Sequence, residues 1–192
     1  VVYMGDDQRF EHIYKFVSAG NWEEMRGRGI SPLDEGVLYV ARFDEGGKGE
    51  WLPLTMENPL LKEQFKDQAD ILFNVRLAAT ALGATEKDRP EWTTVAPNGE
   101  VYCTLTNNHQ RKVANAANPQ APNLNGHIIR WRDEDDHLGT TFSWDIFLMS
   151  DQYYAREESF AITVGRWSDP YGRLFCMTYG CHSDNTYTQL LV

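Results

Sequence analysis

Pro97-Asn98-Gly99-Glu100-Val101-Tyr102-Cys103-Thr104-Leu105-Thr106 reads as a turn followed at once by a strand. Gly99 supplies an adaptable turn position, and the β-branched and aromatic residues after it suit a pleated surface. The same order of residue types recurs at Leu33-Asp34-Glu35-Gly36-Val37-Leu38-Tyr39-Val40-Ala41-Arg42-Phe43 and at Asp169-Pro170-Tyr171-Gly172-Arg173-Leu174-Phe175-Cys176-Met177-Thr178. The turn glycines fall at 36, 99 and 172, and the last two units share Gly-x-Val/Leu-Tyr/Phe-Cys. Further strands are expected at 12–18, 126–132 and 140–149. Short strands and polar turns on a long repeat predict an all-β fold, a β-propeller of about three blades with long insertions. The alternative is a β-sandwich, whose strands would be more evenly spaced and would lack the glycine echo. One inserted helix is expected over 59–82. Its rough apolar face is Leu60, Leu61, Phe65, Ala69, Leu72, Phe73, Leu77 and Ala81, and Lys62, Glu63, Lys66, Asp67 and Asp70 lie on its solvated side.

The 192 residues are enough to bury a core, with 42% hydrophobic and 24% charged residues, as in ordinary globular proteins. A net charge of −10 argues against a nucleic-acid backbone as partner. No apolar run reaches the length of a membrane-spanning helix. The chain opens on Val1-Val2-Tyr3 and closes on Gln189-Leu190-Leu191-Val192, so it is expected to be one partial domain, 1–192, truncated at both ends. Cys103, Cys176 and Cys181 lack zinc-site spacing. Cys103 and Cys176 sit in strand patterns and read as buried free thiols.

Arg89-Pro90-Glu91 joins a fixed cation to a carboxylate where a strand begins. Pro90 is expected to push Arg89 towards extended backbone, so that Arg89 and Glu91 point the same way. Read alone, the pair is a surface ion pair. Its chemistry also suits another use, because an arginine fork matches phosphate and a carboxylate suits a hard metal ion. Glu11 precedes the strand His12-Ile13-Tyr14-Lys15-Phe16-Val17 and is a second candidate metal ligand, with Asp6 and Asp7 as substitutes. Asn107, Asn108, Asn118 and Asn123 offer carbonyl oxygens that calcium accepts, and are equally ordinary loop residues. Asp133-Glu134-Asp135-Asp136 lacks the spacing and glycine of an EF-hand loop and reads as a solvated hairpin tip. HExxH, Gly-x-Ser-x-Gly and Walker patterns do not occur, so serine nucleophile chemistry and nucleotide binding are unsupported.

Five blocks carry a family resemblance: Tyr3-Met4-Gly5-Asp6-Asp7, Glu11-His12-Ile13-Tyr14-Lys15-Phe16-Val17-Ser18, Gly36-Val37-Leu38-Tyr39-Val40-Ala41, Arg89-Pro90-Glu91, and Ala117-Asn118-Pro119-x-x-Pro122-Asn123-x-x-Gly126-His127-Ile128. In order and over nearly the whole chain, they resemble the PhoX-type alkaline phosphatases. The resemblance implies a six-bladed propeller that hydrolyses phosphate monoesters with iron and calcium in its channel. It also implies export by the twin-arginine route to the periplasm or the extracellular space, and a monomer when full length. Glu91 and Glu11 then resemble metal ligands, and Arg89 the catalytic, phosphate-facing cation. The chain departs from the family pattern at Thr163-Val164-Gly165 and Thr178-Tyr179-Gly180, where aspartates are usual, and valine cannot ligate a metal. Two rival readings are a non-catalytic, calcium-stabilised propeller binding module and another propeller hydrolase, such as a lactonase.

Overall fold

The computed structural model describes residues 1–149 and, as backbone, the strands at 162–168, 174–182 and 185–191. Two four-stranded antiparallel meanders make up the first 149 residues. The first contains β1 (Val2–Gly5), β2 (Ile13–Ser18), β3 (Gly36–Asp44) and β4 (Lys48–Pro53). The second contains β5 (Pro90–Val95), β6 (Val101–Leu105), β7 (His127–Asp133) and β8 (Thr141–Met149). β4 pairs antiparallel with β8 through Lys48↔Ser143, Gly49↔Phe142 and Glu50↔Thr141. This joins the meanders into one eight-stranded sheet of order β1-β2-β3-β4-β8-β7-β6-β5. At its two ends β1 lies against β5, where the Thr93 hydroxyl donates to the Tyr3 carbonyl at 2.9 Å, so the sheet nearly closes on itself. A four-stranded meander is the blade unit of a propeller, and the chain has that all-β, propeller-type fold. A separate three-stranded sheet, β11-β10-β9, follows from β9 (Ile162–Ser168), β10 (Leu174–His182) and β11 (Asn185–Leu191).

The glycine echo marks strands but not equivalent places in the blades. Gly36 opens the third strand of its meander and Gly99 precedes the second of the next, while Gly172 lies outside the described residues. Their physics differs too. Gly99 has φ 82°, the left-handed region that glycine enters freely, whereas a Cβ on Gly36 would meet the Val17 carbonyl oxygen at 2.3 Å.

Strand alternation sorts most buried side chains into two large clusters, with a small third around Tyr102 and Ile128. Ile13, Ala41, Phe43, Trp51, Val101, Cys103, Ile129, Trp131 and Phe142 are buried between the meanders. Tyr14, Val40 and Leu54 face the other side and pack beneath the helical insertion, against Leu61, Ile71, Ala78 and Ala79. That insertion is three short helices rather than one: α2 (Pro59–Gln64), α3 (Gln68–Phe73) and α4 (Val75–Ala81). A further short helix, α1 (Trp22–Gly27), precedes them, capped by Asn21. Phe65 leaves α2 in extended geometry, and the Asp67 side chain caps the next start by accepting from the Asp70 amide. The break shifts the apolar register, so Leu60, Leu72, Phe73 and Leu77 are exposed and Ile71 takes the core.

The stretch Asp133–Asp136 divides in a way its composition hides. Asp133 is no part of a solvated tip. Its buried carboxylate accepts from Lys15 Nζ at 2.7 Å, the Tyr3 hydroxyl at 2.7 Å and Trp51 Nε1 at 2.9 Å. Glu134, Asp135 and Asp136 form the exposed tip.

Candidate functional site

The ends of β1 and β5 meet so closely that a Cβ on Gly5 would lie 2.6 Å from the Pro90 carbonyl oxygen. Around this junction run Asp6–Glu11, between β1 and β2, and Glu86–Arg89, ahead of β5. The two segments pair by backbone. The Lys87 amide donates to the Glu11 carbonyl at 2.8 Å, and the Phe10 amide to the Lys87 carbonyl at 3.0 Å. Glu11 and Arg89, far apart in sequence, thus belong to one hydrogen-bonded unit.

Arg89 is not extended. Its φ is 55°, a left-handed conformation that is costly for a residue with a side chain. The preference imposed by Pro90 is overridden by what holds the neighbouring peptides. On one side is the pairing with Phe10 and Glu11. On the other, the Thr106 amide donates to the Arg89 carbonyl at 3.2 Å. The guanidinium reaches Asp7 through Nε at 3.1 Å and Nη2 at 3.3 Å, with Nη1 3.5 Å from Asn107 Oδ1. Arg89 is half-buried.

The carboxylates are crowded. Burial raises the Glu91 carboxyl above its usual range, the Asp7 charge adds to this, and Arg89 opposes it. Burial likewise raises Glu11; the Arg76 charge opposes the shift, and Asp6 and Glu86 reinforce it. Arg76 comes from α4 and grips Asp6 with two bonds of 2.7 Å, its Nε lying 3.6 Å from Glu11. The three sequence candidates therefore fall into two adjoining clusters. Arg89 and Glu91 share Asp7, Glu11 shares Asp6 with Arg76, and the Asp6-Asp7 dipeptide joins the two. Among the described residues, no group of three or more His, Cys, Asp or Glu is arranged to hold a metal ion. The donor set around the two glutamates is hard oxygen, which suits calcium. Cys103 is buried in the core, its thiol pushed up to about 12 by that burial, and offers no ligand here.

Below Arg89 lies a network that the sequence did not announce. Asp88 is wholly buried, and its carboxylate accepts from Asn108 Nδ2 at 2.9 Å, Asn123 Nδ2 at 3.0 Å and Arg111 Nε. Asn118 Nδ2 and Arg111 Nη2 donate to the Glu86 carbonyl at 2.9 and 3.2 Å. Of the asparagines read as possible calcium donors, Asn108 and Asn123 commit their side-chain carbonyls to the Gln110 and Gly126 amides, while Asn118 Oδ1 is buried without a partner among the described residues. Lys87 is also fully buried, its ammonium 3.6 Å from the centre of the Phe43 ring. Arg76 and Asp88 were missed because each looks like ordinary surface charge in sequence. Val164 and Tyr179 have side chains outside the described residues.

A family model described as "Alkaline phosphatase PhoX" matches residues 1–190. The chain belongs to the PhoX alkaline phosphatase family. A solved structure, "Pseudomonas fluorescens PhoX in complex with vanadate, a transition state analogue", superposes with a TM-score of 0.79 at 37% sequence identity. The match covers 98% of this chain and 39% of that one, so the chain spans about two fifths of the length of that relative. A search of the curated proteins finds no match. No helix among the described residues is long and apolar enough to cross a membrane.

Proposed function

We propose that the chain forms part of a propeller domain that hydrolyses phosphate monoesters, with Arg89 as the group that engages the phosphoryl oxygens. The observation that carries this reading is the left-handed Arg89, held at the junction of two carboxylate clusters within a chain of the PhoX family. The similar protein's complex with vanadate, a transition-state analogue by its description, supports it.

The crowding of Glu11 and Glu91 with Asp6, Asp7 and Glu86 favours a bound divalent cation, because half-buried carboxylates with raised proton affinity are relieved by one. Glu91 and Glu11 would be oxygen ligands, to calcium and to a shared iron–calcium cluster completed by groups beyond those described. Such ions, when bound, polarise phosphoryl oxygens and lower the proton affinity of an attacking oxygen. Arg89 presents a planar fork to two phosphoryl oxygens and offsets charge that grows in the transition state. Asp7 holds that fork until an anion arrives, and Asn107 marks its free edge. Arg76 keeps Asp6 and Glu11 from repelling one another. Family membership further favours export to the periplasm or beyond, where phosphate esters are scavenged.

The test is Arg89→Ala in the full-length protein. Hydrolysis of p-nitrophenyl phosphate should fall by about 100-fold or more in kcat/KM, the scale of losing one transition-state donor. Unchanged hydrolysis sinks the role given to Arg89.

A further inference from the structure

We propose that Asp88 is a positioning residue for Arg89: its buried carboxylate, gathered by Asn108, Arg111 and Asn123, fixes the left-handed turn that presents the guanidinium. The inference rests on the phosphatase reading of Arg89. A carboxylate has lone pairs for several donors, and here three converge on it from one segment between β6 and β7. Hydrogen bonds to a charged acceptor are the strong kind, and their removal in a buried place is costly. They are also directional, so they set the orientation of the peptide that follows Asp88. The preceding residue is pinned independently, since Lys87 is wholly buried over Phe43 and its amide and carbonyl bond to Glu11 and Phe10. With Asp88 anchored on the opposite side and the Arg89 carbonyl held by Thr106, the backbone at Arg89 has no route to the extended conformation that Pro90 favours. The anchoring thereby sustains a conformation that local preference opposes, as backbone outliers at working sites require.

Asp88 does not reach the fork, so its effect on phosphate must pass through Arg89. This separates positioning from general structural support. In the full-length, metal-loaded protein, the affinity for inorganic phosphate is measured by calorimetry for wild type, Asp88→Asn, Arg89→Ala and the double variant, with metal content checked in each. Asp88→Asn keeps the side-chain shape but turns an acceptor into a donor that faces other donors. It should weaken phosphate by about 10-fold or more, as misplacement of a catalytic group does. In the Arg89→Ala background the same change should shift the affinity by less than about 2-fold, the limit for a residue acting only through its neighbour. An unchanged affinity in Asp88→Asn overturns the proposal, as does an equal loss in both backgrounds. Should Asp88→Asn fail to melt cooperatively, Asn108→Ser removes one donor, spares the carboxylate and faces the same two outcomes. If Arg89→Ala itself leaves phosphate affinity unchanged, the reading of Arg89 falls. If that variant loses affinity and Asp88→Asn does not, only the positioning role falls.

Discussion

Lys87, Asp88 and Arg89 leave the backbone for three different environments: an aromatic core, a set of amide and guanidinium donors, and a half-open carboxylate cluster. A run of charged residues before a proline reads as a solvated turn, and nothing local says that two of the three are buried. The partners of Asp88 stand more than a helix-length further along, in an asparagine-rich loop whose composition suits any surface. The Arg-Pro-Glu motif gained a chemical reading only from the blocks around it, because alone it reads as a surface ion pair. Its geometry was not legible, since tertiary hydrogen bonds beat the pre-proline preference. Two predictions belong at this scale. Glu91→Ala should lose bound calcium, measured by elemental analysis of purified protein, and full metal retention would remove Glu91 from the ligand set. His127 bonds Asn123 through Nδ1 at 3.2 Å and the Ala117 carbonyl through Nε2 at 3.1 Å, which suits a neutral ring. Burial, helped by the Lys87 charge, lowers it from 6.5 to about 4. An unfolded chain takes up that proton below 6.5. The stability His127 contributes is therefore full above 6.5 and lost as pH falls towards 4, at about 1.4 kcal/mol per pH unit. Urea unfolding at several pH values should show this slope, and His127→Gln should flatten it.

Strands announced themselves where a turn residue and an alternating run agree, as at β3, β6, β7 and β8. β1 and β4 are short or glycine-bearing and carry too little pattern to be seen alone; the sheet supplies their partners. The helical insertion was legible as helix but not as three pieces, because a long apolar count conceals a break. The Asp67 side chain, accepting from the Asp70 amide at 2.9 Å, marks the start of α3. The contact of β1 with β5 yields a prediction of its own. Gly5→Ala would drive a methyl into the Pro90 carbonyl, and backbone cannot swing aside as a flexible side chain can. The variant should lose about 1–3 kcal/mol in chemical denaturation and bind phosphate less tightly, because the strand that carries Glu91 must move. Wild-type values for both would show that the junction yields freely.

Across the two meanders, the β4–β8 seam joins them at one side, the β1–β5 contact at the other, and the buried Asp133 bridges them in between. Backbone bonds from Trp51 to Thr140 at 2.8 Å and from Trp144 to Gly47 at 2.9 Å extend the seam. Lys15, Tyr3 and Trp51 of the first meander all converge on Asp133 of the second. Removing one partner of a buried ion pair leaves an uncompensated charge, so Asp133→Ala should cost about 3–5 kcal/mol, read from the urea midpoint. A loss below 1 kcal/mol would mean that the strand contacts at the two sides hold the halves together without this bridge. The propeller class could be read from strand repetition, but this bridge could not. It sits in an acidic tetrad whose other members are plain surface.

The loop between β6 and β7 has one last implication. Long stretches without helix or strand, exposed and rich in small polar residues, are where proteases usually nick a fold. Here Asp88 draws in Asn108, Arg111 and Asn123, and the Arg111 side chain lies inside the protein. A trypsin-like enzyme must seat that very side chain in its own pocket before it can cut after it. One buried carboxylate thus both steadies Arg89 and withholds Arg111 as a cleavage handle.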